Sequence, residues 1–148
     1  MGLREARRED VSRIIEMLVD DDLARSREDL SAGLAPYLKA FDVIAASPDN
    51  ALYVWEEAGS VLGSLQLTFI PGIAYQDAWL AQVESVRVDS TVRGQRIGEK
   101  MMQAVMEVAR RRGCRTMQFK TDKRRVAAHR FYQRLGFALS HEAMTIKL

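Results

Sequence analysis

Six residues, Arg93-Gly94-Gln95-Arg96-Ile97-Gly98, have the types and spacing in this chain best suited to chemistry. They stand between a stretch that reads as a strand, Trp79 to Val88, and one that reads as a helix, from about Gly98 to Arg112. A glycine-bearing turn in that setting aims its own N–H groups, and those of the first helical turn, at one spot. Such a spot suits a phosphate group. The turn is no Walker loop, because Lys and Ser/Thr do not follow Gly98, and it lacks the third glycine of a dinucleotide fingerprint. Read alone, Gly94 and Gly98 serve equally well for a tight turn and for close helix–strand packing.

The strand before the turn contains a conflict of phase. Trp79, Ala81 and Val83 alternate as a half-buried strand should, but the next apolar residues are Val86 and Val88. A period of two survives such a slip only if one residue is inserted as a β-bulge, placed here near Glu84-Ser85. A strand buried on both faces is the alternative. After the turn, Ile97, Met101, Val105 and Val108/Ala109 form one stripe of a helix with Met102 and Met106 beside it, and Gly113 is a suitable stop.

The remaining elements frame this unit. Leu3 to Arg7 reads as extended, and Asp10 to Val19 as a helix with Asp10 as its cap. A second helical region, about Arg27 to Ala46, carries Leu30, Leu34, Leu38 and Phe41, with a break expected from Pro36. Ala51 to Glu56 and Val61 to Phe69 read as a hairpin across Glu57-Ala58-Gly59-Ser60, and residues 70–77 as a loop. Thr116 to Thr121 reads as a strand, Ala127 to Leu135 as a helix ended by Gly136 with Phe137 packing back, and Ala138 to Leu148 as strand-like. The pattern implies α/β or α+β architecture, a single domain over 1–148 with a mixed sheet.

Three segments together resemble the GNAT superfamily of acetyl-CoA-dependent N-acetyltransferases. They are Val86-Arg87-Val88, then Arg93 to Gly98, then His129-Arg130-Phe131-Tyr132-Gln133-Arg134-Leu135-Gly136-Phe137. The family's cofactor motif is Gln/Arg-x-x-Gly-x-Gly/Ala. Arg93 and Gly98 match its ends, while Arg96 stands where its middle glycine is usual. The Phe-Tyr-x-x-x-Gly-Phe signature is met at Phe131 to Phe137. The resemblance is close over Trp79 to Phe137, and residues 1–77 share only the order of elements.

The resemblance implies a mostly antiparallel, splayed mixed sheet flanked by about four helices. It implies acetyl-CoA as co-substrate, with pantetheine along Val86, Arg87 and Val88. The pyrophosphate would sit over Arg93, Gly94, Gln95, Arg96, Ile97, Gly98 and Glu99. It nominates Tyr132 as the general acid toward the coenzyme A sulfur. Glu84 is the candidate base, acting on the incoming ammonium through water, and a solvated or ion-paired Glu84 is the alternative. The acceptor is an amine on a small molecule or a peptide, and a homodimer fits the family's habits.

Charge and composition bear on the alternatives. Residues 87–134 hold 14 Lys/Arg and 4 Asp/Glu, against 8 and 16 elsewhere, so a polyanion is expected to dock on that half. A nucleic-acid-binding module built on Arg110-Arg111-Arg112, Arg115 and Lys123-Arg124-Arg125 is one rival reading. It needs interleaved aromatic residues or a reading helix, and neither is evident. A sensor of the same fold that binds acyl-CoA without turnover is another. His129 and His141 belong to no cluster with metal-ligand spacing, so no metal is expected. With one cysteine, Cys114, a charged N-terminal stretch and no apolar run long enough to span a bilayer, a cytoplasmic protein is expected.

Overall fold

Four strands taken in chain order pair antiparallel, the first joined to the second through a long helical segment, and a helical crossover adds a parallel fifth strand. The computed structural model describes residues 2–76 and 78–148. Met1, and Asp77 at the end of the expected 70–77 loop, lie outside it. The chain divides into two compact units, Met1–Gln118 and Phe119–Leu148.

The first unit contains β1 (Gly2–Glu5), α1 (Val11–Val19), α2 (Asp22–Arg25), α3 (Ala35–Ala46) and β2 (Asn50–Glu57). It continues through β3 (Ser60–Ile70), β4 (Trp79–Val88), α4 (Ile97–Arg111) and β5 (Cys114–Gln118), with 3-10 turns at Arg8–Asp10 and Ser90–Val92. The β2–β3 hairpin closes through Ala58 and Gly59, both at positive φ (48° and 77°), the backbone a two-residue hairpin requires. Because β4 and β5 run parallel, a crossover must join them, and α4 supplies it.

Register decides what each sheet face buries. Gly63, Leu65, Leu67, Val83 and Ala81 share one face, and Val54 and Ser64 share the other; all seven are buried. α4 buries Ile97, Met101, Met102, Val105 and Ala109, the stripe expected from its spacing. It approaches so closely that a Cβ on Gly63 would lie 3.0 Å from the Met101 sulfur and 3.2 Å from the Arg87 carbonyl oxygen. α1 packs on β3 and β4, burying Val11, Ile14, Ile15 and Met17. At the far end of α4, Arg112 donates to the Pro48 carbonyl (2.9 Å) and the Asp49 carboxylate (2.8 Å). Its guanidinium lies over the rings of Phe69 (4.6 Å) and Trp79 (6.0 Å).

Several expectations need correction. Asp10 stands at the start of α1 but does not cap it with its side chain. Its carboxylate instead accepts the Arg7 N–H at 2.7 Å and two bonds from the Arg4 guanidinium at 2.8 and 3.1 Å. Of the second helical region expected over about 27–46, only α3 is helical; residues 27–34 are not, and α2 lies before the region. Pro36 does not break a helix but lies in the first turn of α3, where its missing N–H costs nothing. Leu30 and Leu34, expected on a buried stripe, are exposed. Five α-helices are described, the shortest being the four-residue α2, in keeping with the expected count of about four.

The second unit contains α5 (Val126–Arg134). Gly136, at φ 98°, turns the chain back, with Gly136 N–H donating to Gln133 O (3.0 Å) and Phe137 N–H to Tyr132 O (3.1 Å). This is the paired-bond closure that glycine permits after a helix. Residues 138–148, expected to be strand-like, form no strand.

Two outcomes follow from this packing. Gly63→Val should destabilise the fold by about 1–3 kcal/mol, the range for overpacking, read as a lowered denaturant midpoint at unchanged slope. The Arg4 hydrogen bonds hold the Asp10 carboxyl below the usual carboxylate range, against the opposing effect of burial. A lowered folded-state pKa means stability present above the unfolded value of about 4 and lost as pH falls through the folded value. Asp10→Asn should therefore cost about 2 kcal/mol at neutral pH and flatten the acid limb of a stability-versus-pH curve.

Candidate active site

The phase slip in β4 is resolved by a bulge. Gln66 pairs with Glu84 and Ser64 with Arg87, so three steps along β4 match two along β3. Ser85 absorbs the excess in the left-handed region, at φ 55°. Glu84 and Arg87 thereby share the sheet face of Ser64 and Gln66, while Val86 and Val88 join Val83 on the opposite face. On its other edge β4 pairs with β5 only from Trp79↔Cys114 to Gln82↔Gln118. The β4–β5 ladder therefore ends before the bulge. The strand's backbone there is available to an extended amide chain.

Beyond Val88 the chain is tied before it turns. Asp89 N–H donates to Leu62 O at 2.9 Å, and the Asp89 carboxylate accepts from the Thr91 N–H (2.7 Å) and hydroxyl (2.6 Å). The Arg13 guanidinium of α1 pairs with the same carboxylate and donates to Val61 O at 3.2 Å. The turn then carries Gly94 at φ 89° and Arg96 at φ 61°. Arg96 is the N-cap of α4 and makes no capping hydrogen bond with its side chain. The Lys100 N–H donates to Arg96 O at 3.0 Å, so the N–H groups of Ile97, Gly98 and Glu99 precede the helix's own ladder. Gln95 N–H is committed to Val92 O at 3.2 Å.

Arg96 occupies the position where the motif usually has glycine, and its backbone is left-handed as glycine would allow. Its exposed guanidinium forks onto Glu99 with two contacts of 2.7 Å. The Glu99 carboxylate, which would repel a phosphate at the helix start, is thus paired, leaving its N–H to face a ligand. Arg93 is exposed beside Gly94.

Glu84 is half-buried, and its Oε1 accepts from the Gln82 side-chain amide at 2.9 Å. Arg87 is also half-buried, with Nη1 donating to Val86 O at 2.8 Å and Nε 3.8 Å from the Asp21 carboxylate. Asp21 itself caps α2, accepting from Leu23 and Ala24 N–H. Of the acidic run 20–22, Asp21 therefore has both the capping role and an ion-pair role. In the second unit, Tyr132 is buried in an aromatic cluster: its ring centroid lies 4.0 Å from Phe119, 5.0 Å from Phe131 and 5.8 Å from Phe137. His129 Nε2 lies 3.2 Å from Asp122 O, and His141 Nδ1 2.7 Å from the Ser140 hydroxyl. No group of three or more His, Cys, Asp or Glu among the described residues is placed to hold a metal ion. Burial pushes the Cys114 thiol up, away from the reactive thiolate form.

Sequence reasoning missed Gln82, Arg13 and Asp89. Gln82 was findable, since i and i+2 share a strand face and Glu84 follows it by two. The Arg13–Asp89 pairing joins residues 76 apart in sequence and carries no local signal.

Comparison with known proteins identifies the family and the fold. The model of the acetyltransferase (GNAT) family matches residues 11–137, and the chain belongs to that family. A crystal structure described as a transcriptional regulator from Bacillus halodurans C-125 has a TM-score of 0.94 at 40% identity, covering 99% of this chain and 98% of that one. Glucosamine-6-phosphate N-acetyltransferase from Arabidopsis thaliana shares the fold, with a TM-score of 0.81 at 21% identity over 98% and 96% of the two chains. Among curated proteins, aminoalkylphosphonate N-acetyltransferase of Salmonella typhimurium is 31% identical over 87 residues. That match spans 59% of this chain and 56% of the relative.

The bulge makes a local prediction. Ser85→Gly should keep or slightly raise stability, and Ser85→Val should lower it by about 1–2 kcal/mol in denaturant titration, because a β-branched residue resists positive φ.

Proposed function

We propose that the chain transfers an acetyl group from acetyl-CoA to a primary amine by direct attack in a ternary complex, as one acetyltransferase domain over 1–148. The observation that carries this reading is the bulged β4 segment beyond the end of its β5 ladder, followed through one short turn by the N-terminus of α4. The family match, which spans residues of both units, supports the single-domain reading. Acetyl-CoA would supply the acyl group as an activated thioester.

The residues present fit such a ligand. Val86, Arg87 and Val88 offer backbone to the pantetheine amides. Arg93, Gly94 and Arg96, with the N–H groups of Ile97, Gly98 and Glu99, offer a cradle for pyrophosphate, reinforced by the helix dipole. Gln95 contributes by shaping the turn. Glu84 takes a proton from the acceptor ammonium through water, since only the free amine is nucleophilic. The Val86 N–H stabilises negative charge developing on the acyl oxygen. Tyr132 hydrogen-bonds the departing sulfur. A phenol of pKa about 10 opposite a thiol of about 8.5 makes complete proton transfer uphill by roughly 2 kcal/mol, so the hydrogen bond is the larger contribution.

The basic residues that favour a nucleic-acid reading are largely engaged within the protein. Arg110 and Arg111 pair with Glu107, Arg112 with Asp49, and Arg124 with Asp122. The acceptor is proposed to be a small amine or a peptide N-terminus. Both N-acetyltransferases above are named for small amines that carry a phosphorus oxyanion, which makes that class the first to try.

Acetyl-CoA at a hundred times its Kd should stabilise the protein by about 2.7 kcal/mol, seen as a raised Tm, while duplex DNA at moderate salt should not. No shift with any acyl-CoA would sink the proposal, and a shift with DNA alone would favour the nucleic-acid reading. Thiol release is then measured across aminomethylphosphonate, an amino sugar phosphate and a short peptide. With an accepted amine, Tyr132→Phe should lower kcat at least about tenfold. An unchanged kcat would remove Tyr132 from its assigned role.

A further inference from the structure

On the sheet face that carries Glu84, the register aligns four polar side chains into one row across four strands. Asn50 lies opposite Thr68, Thr68 opposite Gln82, and Gln82 opposite Gln118. The next row holds Leu52, Gln66 and Glu84. Two hydrogen bonds run in one direction, one along the first row and one from it to the next. Gln118 Nε2 donates to Gln82 Oε1 at 3.0 Å, and Gln82 Nε2 donates to Glu84 Oε1 at 2.9 Å.

The chemistry of these groups fixes their orientation. An ionised carboxylate only accepts, so the Gln82 amide must turn its NH2 toward Glu84. Its carbonyl oxygen then faces Gln118, which must answer with its own NH2. One charge thus orders two neutral amides in series, and each donor polarises the next. Glu84 in turn is held through one oxygen only: among the described residues its Oε2 has no hydrogen-bond partner. Gln66, its cross-strand neighbour, makes no side-chain hydrogen bond among the described residues. That side of Glu84 remains for water and the acceptor amine.

We infer that Gln82 and Gln118 are positioning residues, an amide relay that holds the Glu84 carboxylate by one oxygen in the rotamer its role as base requires. The inference rests on the proposed role of Glu84 and assigns no contact with substrate to either glutamine. A base held in one rotamer loses less entropy when the acceptor arrives, so the relay acts on kcat rather than on acetyl-CoA binding.

The relay is read directly from the Gln82 and Gln118 side-chain amide signals in the 15N–1H spectrum of the full chain. On titration from neutral to acid pH, both pairs of signals should move together with one midpoint, and Glu84→Gln should abolish that movement in both. Signals that stay still, or that move unchanged in Glu84→Gln, would overturn the relay whatever the catalytic role of Glu84. Kinetics with the amine accepted in the thiol-release panel give the second arm. Gln82→Leu should lower kcat about tenfold, part of the hundredfold or more that a general base contributes, with KM for acetyl-CoA unchanged. Gln118→Leu should have a smaller effect in the same direction. In a Glu84→Gln background, Gln82→Leu should cost nothing more. A full tenfold loss in that background would show that Gln82 acts independently of Glu84 and overturn the relay alone. Wild-type kcat in Glu84→Gln would overturn the base assignment and, with it, the relay's purpose.

Discussion

Three residues of β4 cover the distance that two residues of β3 cover, and the rest of the site depends on how that mismatch is absorbed. Ser85 takes it up at positive φ, and the strand changes phase. Were β4 regularly pleated here, with no bulge, Glu84 and Arg87 would fall on opposite faces, and Val86 and Val88 would leave the face they share with Val83. With it, the polar residues share one side of the sheet and the apolar ones the other. The cost of a left-handed serine is of order 1–2 kcal/mol, small against the several buried side chains whose placement it permits.

The bulge is held from both ends by polar contacts. Ahead of it, Gln82 fastens Glu84. Behind it, Asp89 joins β4 to β3 through backbone, to the turn through Thr91, and to α1 through Arg13. The Arg13–Asp89 pair is only partly exposed, so solvent and salt screen it less than the arginine–glutamate pairs on the outer face of α4. The turn between Val88 and Ile97 is therefore short, bonded to itself and anchored to α1. Backbone N–H groups held this way need little rearrangement to receive an anion.

What the sequence made legible was whatever repeats with a period. The stripe of α4 and the phase slip of β4 are both deviations from, or agreement with, a simple count, and both correspond to structure. Gly136 and Phe137 were readable because a glycine stop has a local mechanism. Pro36 was ambiguous, since proline either interrupts a helix or starts one, and only the surrounding residues decide. The strand-like character of residues 138–148 did not become a strand, because strand propensity reflects packing against neighbours more than a backbone preference. Leu30 and Leu34 kept helical spacing without a surface to bury them. The Gln118–Gln82–Glu84 chain was hidden for a different reason. It depends on cross-strand register, which a single sequence fixes only through the turns and bulges that set it.

Arg112 has a role at a distance from anything it touches. It rivets the C-terminal end of α4 to Pro48, Asp49 and two aromatic rings, while the first turn of the same helix carries the proposed anion cradle. A helix of 15 residues is about 22 Å long, and it behaves as a stiff lever. A tilt of about 5° at the riveted end would carry the other end about 2 Å, well beyond the tolerance of a hydrogen bond. The accuracy of the cradle is thus set partly by a guanidinium one helix-length away, and the fulcrum of the site lies outside it.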